Sequence, residues 1–210
     1  MKRVILSGIL LTLLLSGCGG TKTTAEKAPA PESQPPAAEQ TAPAGADRSP
    51  TAAELGREDR AVLEVTVEGE TEEVPAALFI GQGYSLYIPE EGWRYEKDLD
   101  DGVAEDTWES ILNGEVELEV RQYPASPDRT PDAVKAAFVK GRDYVFEDLM
   151  GGGLGDPLAG VDEDGDFLSF MAAEGADGTV YVISWEYPGE AAEGFGTRLA
   201  QIANTFQLME

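Results

Sequence analysis

The sequence predicts an α+β fold: an antiparallel sheet of about six strands with two main helices packed on it, placed after a disordered tether. Three observations predict it. Residues 61–123 and 167–187 alternate apolar and polar side chains between turn residues, the period of half-buried strands. Two stretches, beginning at Thr130 and Glu190, carry apolar residues at helical spacing. Residues 19–60 have neither period.

The chain opens on Met1-Lys2-Arg3, a positive segment, followed by a mainly apolar run over residues 4–15. Such a run is short for a membrane span, which needs about 20 residues. Charge, apolar run and small residues in this order are the layout of a secretory signal. The run ends in Leu15-Ser16-Gly17-Cys18, and Cys18 is the only cysteine in the chain. These four residues resemble the lipobox of bacterial lipoproteins. The resemblance implies a leader over residues 1–17, cleavage before Cys18, and a diacylglyceryl group, with palmitate-type chains, on the Cys18 thiol. Two chains anchor firmly, where one gives marginal affinity. The implied location is the cell membrane, facing outside the cytoplasm, with the lipid bilayer as partner through acylated Cys18.

Residues 18–60 read as a tether of Thr, Ala, Pro, Glu and Gln, with Pro29, Pro31, Pro35, Pro36, Pro43 and Pro50 spread along it. This composition buries too little apolar surface to offset ordering entropy. At coil to polyproline dimensions it reaches roughly 35 to 130 Å. A short helix at residues 51–59 fits Ala52, Ala53, Glu54 and Leu55.

Residues 61–210 form the predicted domain. Residues 61–67 read as a strand, Glu68-Gly69-Glu70 as a turn, and residues 73–80 as a second strand that Pro75 makes an edge or a bulge. Tyr84, Leu86 and Ile88 begin a third strand, stopped by Pro89; Gly92-Trp93 starts another short extended piece. Residues 98–106 read as an acidic loop, and residues 107–113 as a strand or a turn of helix. Asn113-Gly114 is a hairpin signal, after which Val116, Leu118 and Val120 alternate with Glu117, Glu119 and Arg121.

Thr130-Pro131-Asp132 opens the first helix: a capping hydroxyl, a proline at the first helical position, and an acid matched to the dipole. Ala133, Val134, Ala137 and Phe138 form its inward stripe, and Gly141 ends it. Residues 144–150 fit either element, and residues 151–157 are a glycine-rich loop. Residues 167–173 and 179–187 are strands. The last helix spans residues 190–204, with Phe195, Leu199, Ile202 and Phe206 at helical spacing.

Residues 83–89 (Gly-Tyr-Ser-Leu-Tyr-Ile-Pro), Gly92-Trp93, and the ending of an aromatic strand, Pro188 and a helix closing on Ala203-Asn204-Thr205-Phe206 resemble domains with the PsbP-like fold. The resemblance implies a mostly non-enzymatic binding or assembly module and carries no functional residue.

Charge and composition exclude several functions. Lys and Arg number 15 against 40 Asp and Glu, a net charge of −25. That balance opposes nucleic acid, where cations must neutralise phosphates, and favours solubility and local cation enrichment. With no histidine in the chain and no cysteine after Cys18, Ser-His-Asp and Cys-His catalysis and HExxH zinc sites are excluded. No cofactor is expected.

Asp162, Asp164 and Asp166 are weak metal candidates. Counted from Asp162, the EF-hand positions for Gly and Glu are Phe167 and Ala173, so the run reads first as a turn. Asp98, Asp100, Asp101, Glu105 and Asp106 form a second acidic cluster. Residues 151–155 lack a phosphate-loop pattern and lie between Asp148 and Asp156. Trp93, Trp108, Trp185, Tyr84, Tyr87 and Tyr187 either fill the core or line a groove. The expected function is a lipid-anchored, non-catalytic envelope module that binds a protein or ligand. A cation- or solute-binding lipoprotein and a carboxylate-dependent cell-wall hydrolase are the alternatives.

Overall fold

A computed structural model describes residues 49–146 and 152–209. The strands run β1 (Arg60–Val67), β2 (Glu70–Ile80), β3 (Tyr84–Pro89), β4 (Trp93–Asp100), β5 (Val103–Ser110) and β6 (Glu117–Tyr123). After helix α1 (Pro131–Val139) come β7 (Val145–Phe146), β8 (Leu158–Val161), β9 (Phe167–Glu174) and β10 (Val180–Tyr187). Helix α2 (Thr197–Ala203) and β11 (Gln207–Leu208) close the chain. A four-stranded sheet has the order β1-β2-β3-β11, and a seven-stranded sheet the order β4-β5-β6-β10-β9-β8-β7. Every pairing between these strands is antiparallel. The α+β class expected from sequence is observed, but as two sheets and eleven described strands rather than one sheet of about six.

The alternation in β6 and β10 decides how the layers meet. Leu118, Val120, Ile183 and Trp185 face the small sheet, where they pack with Val65, Tyr84, Leu86 and Ile88. Leu199 and Ile202 of α2 join the same core. The alternate residues, Val180 and Val182 with Leu168, Phe170 and Ala172 of β9, meet Val134 and Phe138 of α1. Strands β9 and β10 are thus covered on both faces, which is why they read as near-continuous apolar runs. Each large side chain buried this way contributes about 1.5–3 kcal/mol.

Helix α1 starts as its sequence dictates: the Thr130 hydroxyl accepts from Ala133 N–H at 3.3 Å, and Pro131 takes the first position. Its inward stripe is narrower than expected. Val134, Lys135 and Phe138 are buried, whereas Ala133 and Ala137 face solvent. Val134 and Phe138 pack on the β9–β10 face without help from the small alanines.

Several expectations are corrected. Residues 98–106 are not a loop: they belong to β4 and β5, joined by a two-residue turn. Asp101 (φ 48°) and Gly102 (φ 79°) both sit in the left-handed region, as a hairpin turn of matching twist requires. Asn113-Gly114 instead lies within a longer connection, closed by Val116 N–H on the Asn113 carbonyl and Glu115 N–H on the Asn113 side chain. Pro75 is not on an edge strand, since β2 lies between β1 and β3. Its carbonyl accepts from Glu90 N–H, just past the end of β3, so its missing N–H costs no bond within the β2–β3 ladder.

The stretch at residues 190–204 is not one regular helix. It divides into a 3₁₀ turn (Gly189–Ala191), a π-helical turn (Ala192–Gly196) and α2. The wider turn carries Phe195 against the main core. Ordered contacts also begin before residue 61. Residues 53–55 form a 3₁₀ turn with Ala52 buried. Arg57 donates to Ser85 Oγ at 2.8 Å and to the Thr205 carbonyl at 3.0 Å, and lies over the Tyr87 ring. An arginine that finds two acceptors and a ring draws the end of the expected tether onto the domain. No helix among the described residues is long and apolar enough to cross a membrane.

Candidate functional site

A cleft of about 390 Å³ opens where β1 and β2 diverge from the start of β4. Its walls are built from cross-strand neighbours. Leu63 and Val65 point inward from β1, and Val74, the register partner of Leu63, does so from β2. Trp93 closes the β4 side, Phe195 and Ile202 form the helical side, and Leu112 stands at the lip. Apolar walls with a few polar groups are the usual make-up of a ligand site.

The polar groups are Glu72, Glu91, Ser110 and Arg198. Arg198 sends Nε and Nη2 to Glu72 Oε1 at 2.8 and 2.6 Å and donates to the Gly194 carbonyl, so it ties the π-helical turn to β2. The pair is partly exposed, and its direct worth is about 0–1 kcal/mol. Its consequence is positional: Phe195 is held against the cleft.

Leu112 is 83 % exposed and Ile111 61 % exposed, side by side at the tip of the β5–β6 connection. Leu112, but not Ile111, lines the cleft.

Beneath the neighbouring stretch of β4 lies a buried polar cluster. Asp106 is fully buried. Its Oδ2 accepts from Tyr84 Oη at 2.7 Å and Gln122 Nε2 at 3.1 Å. Its Oδ1 accepts from Tyr95 Oη at 2.5 Å and lies 3.3 Å from Lys97 Nζ. Burial, then the Asp106 carboxylate, pushes both phenols well above their ordinary range, so both are hydrogen-bond donors at neutral pH. The cluster braces β4 and β5 against β3 and β6.

The opposite face of the large sheet is charged along β5 and β6. Arg121 bridges Glu105 at 3.1 Å and Glu119. Burial, aided by the charges of Glu119 and Glu186, holds the Glu117 carboxyl above the usual carboxylate range. Glu119 is also raised, chiefly by burial, against the opposing pull of Arg121. A carboxyl raised by folding gives stability that is complete below its unfolded pKa and lost as pH rises through its folded value. Glu117→Gln is therefore expected to raise the melting temperature at pH 7. It should also flatten the rise in melting temperature expected from this carboxyl on acidifying from pH 7 to 5, read by circular dichroism.

The candidates read from sequence fare differently. Cys18 and the tether up to residue 48 lie outside the described residues, as do Gly151, Asp148 and most of the ambiguous stretch 144–150. Asp162, Asp164 and Asp166 form a turn: Asp162 Oδ1 accepts from the N–H groups of Asp164 and Asp166 at 2.9 and 2.8 Å. Asp166 Oδ1 accepts from Gly189 N–H at 3.2 Å. Asp166 lines a shallow groove of about 250 Å³ with Glu115, Glu117 and Glu186. Among the described residues no three acidic side chains are arranged to hold a metal ion. Of the six aromatic candidates, Trp108, Trp185 and Tyr84 are core, Tyr87 carries Arg57, and Tyr187 stacks on Phe167. Trp93 alone of the six lines the cleft. Leu112, Val74, Phe195 and Arg198 were not legible as site residues. The one sequence signal was Ile111-Leu112, bulky apolar residues immediately before a turn.

No protein-family model matches the chain, and no curated protein matches it by sequence. Similar solved structures exist. The solution structure of cyanobacterial PsbP (CyanoP) from Synechocystis sp. PCC 6803 is 14 % identical with a TM-score of 0.45, covering 60 % of this chain and 87 % of that one. A Bacteroides thetaiotaomicron VPI-5482 protein is 13 % identical with a TM-score of 0.40, covering 63 % of this chain and 48 % of that one. The Pseudomonas aeruginosa MucA/MucB complex gives 10 % identity and a TM-score of 0.26 over 72 % of this chain and 65 % of that one. A solved PsbP thus stands among the similar structures. Likenesses this distant say nothing of what the chain binds or does.

Proposed function

We propose that the protein is an extracytoplasmic lipoprotein anchored through acylated Cys18, and that its domain is a non-catalytic module which binds its partner at the apolar cleft. The anchor reading is supported by the order of charge, apolar run and small residues before Cys18. The single observation that carries the binding reading is the cleft itself: Leu63, Val65, Val74, Trp93 and Phe195 around about 390 Å³, with Leu112 at its lip. An apolar cavity of this size gains free energy from any ligand that covers it, at about 25 cal/mol per Å² of apolar surface.

Two measurements test this. Radiolabelled palmitate fed to a bacterial host making the full chain is expected to label the protein and to leave Cys18→Ser unlabelled. Label that persists in Cys18→Ser overturns the anchor. Nile red, a neutral apolar dye, is expected to bind the full chain with a rise in fluorescence. Val74→Trp, which fills the cleft from a half-buried position, should weaken that binding at least about tenfold, an apolar contact worth about 1.4 kcal/mol or more. Equal dye binding by Val74→Trp would place the apolar site elsewhere.

A further inference from the structure

Strand β4 ends the large sheet on one side, and no described strand lies beyond it. Its hydrogen-bond phase follows from the turn. A two-residue hairpin closes on a bonded pair, here Asp100 with Val103, and bonded pairs then alternate along an antiparallel ladder. Asp98, Glu96 and Arg94 therefore spend their backbone groups on β5. The bond from Ile111 N–H to the Gly92 carbonyl, at 2.9 Å, keeps the same phase.

The backbone groups of Trp93, Tyr95, Lys97 and Leu99 are left on the free edge. Leu99 N–H is taken by the Asp98 carboxylate at 2.7 Å, which ends the available ladder there. Three residues remain, and their side chains face the space between the sheets: Trp93 into the cleft, Tyr95 and Lys97 onto Asp106. One strand is thus both an open edge and the wall of the apolar cleft.

We infer that β4 is a docking edge. An extended segment of a partner protein adds as a further strand beside Trp93, Tyr95 and Lys97, places one bulky apolar side chain in the cleft against Leu112, and carries basic residues. This deepens the binding-module reading and rests on it. Charge selects the occupant. Residues 61–210 hold 33 acidic and 8 basic side chains, and Glu96 and Asp98 project from the opposite face of β4. On that face Arg94 is already held by Glu109 at 3.6 Å.

The chain's own tether is the nearest competitor, because Ser49 and Pro50 border Tyr95 and Lys97. Residues 19–48 contain no branched aliphatic, methionine or aromatic residue, so the tether has no anchor for the cleft. A second copy would bring a domain of the same high negative charge, which repels. The charged residues on β4 likewise discourage edge-to-edge pairing between copies.

The test uses a fluorescein-labelled peptide, Lys-Val-Lys-Phe-Lys-Val-Lys, titrated into the full chain and followed by anisotropy. A copy N-methylated at alternate amides is the control for backbone pairing, and a copy with glutamate for lysine is the control for charge. Binding is expected to weaken at least tenfold with either control peptide, and at least tenfold in Leu112→Asp, a change at a solvated position that leaves the circular dichroism spectrum unaltered. Hydrogen exchange should slow at the amides of Trp93, Tyr95 and Lys97 and stay unchanged at Leu99. Undiminished binding of the N-methylated peptide would reduce the interaction to charge alone and overturn strand addition. So would failure of the peptide to bind. If Nile red still enters the cleft in that case, the binding-module reading survives; if palmitate alone displaces Nile red and the peptide does not, the occupant is an acyl chain and the docking edge falls.

Discussion

Asp106→Ala is expected to lower the unfolding free energy by about 3–5 kcal/mol, the range for removing one partner of a buried charged network. The carboxylate is fully buried and accepts from Tyr84, Tyr95 and Gln122 with Lys97 beside it. Truncation leaves Tyr84 Oη and Gln122 Nε2 without their acceptor in the interior and opens a cavity between β3, β5 and β6. Asp106→Asn keeps the volume but offers one acceptor where two oxygens now serve several donors, and its amide meets further donors. It is expected to fall between wild type and Asp106→Ala. Urea unfolding read by tryptophan fluorescence measures both. A loss below about 1 kcal/mol for Asp106→Ala would place the cohesion of this region in apolar packing instead.

Gly83→Ala is expected to cost about 2–4 kcal/mol, combining left-handed strain with a steric shift. Gly83 sits at φ 83°, and a Cβ built there would lie 2.0 Å from Tyr181 Oη. Tyr181 is buried and donates to the Gln82 carbonyl at 3.1 Å, so its ring has little room to withdraw. The Gly83 carbonyl also accepts from Met209 N–H at 2.9 Å, so displacing the turn loosens β11 as well. The double variant with Tyr181→Phe separates the two contributions. It should recover the steric part and leave the cost of the backbone conformation, as a double-mutant cycle in urea would show.

Much of the domain was legible in the sequence because local chemistry governs it. Thr130, Pro131 and Asp132 carry their own start signal, and the structure uses the Thr130 hydroxyl as a cap. The alternation of Val116, Leu118 and Val120 correctly picks out core positions, with all three buried, but Glu119, expected on the wet face, is buried as well. The acidic stretch at residues 98–106 resembles a loop in its charge, yet it forms the end of β4 and the start of β5. An edge strand solvated on its outer face tolerates Glu96, Asp98 and Asp100 well, and the Asp101-Gly102 dipeptide is a hairpin signal of its own. Residues 190–204 show helical spacing throughout, but spacing does not distinguish α from π turns. Packing of Phe195 and the hold of Arg198 on Glu72 and Gly194 accompany the wider turn.

The candidate cleft was less legible than the fold. Trp93 is one of six aromatics that could fill the core or line a groove, but nothing local distinguishes it from Trp108, which is 3 % exposed on the adjacent strand β5. Leu63, Val74 and Phe195 come from three separated segments, and each alone reads as ordinary core.

By itself the sequence determined the α+β class, the start of α1, the strong negative charge and the exclusion of histidine- and thiol-based catalysis in the domain. Those properties depend on each residue and its near neighbours, so they survive without knowledge of what packs where. The tertiary structure alone decided that the strands form two sheets, that Asp106 is interior, and that β4 is both an edge and a cleft wall. Alternation says that a strand has an apolar face; it does not say which surface covers that face or how completely. Coverage depends on two elements meeting, and the cleft is the place where β1, β2, β4 and the helical turn meet incompletely.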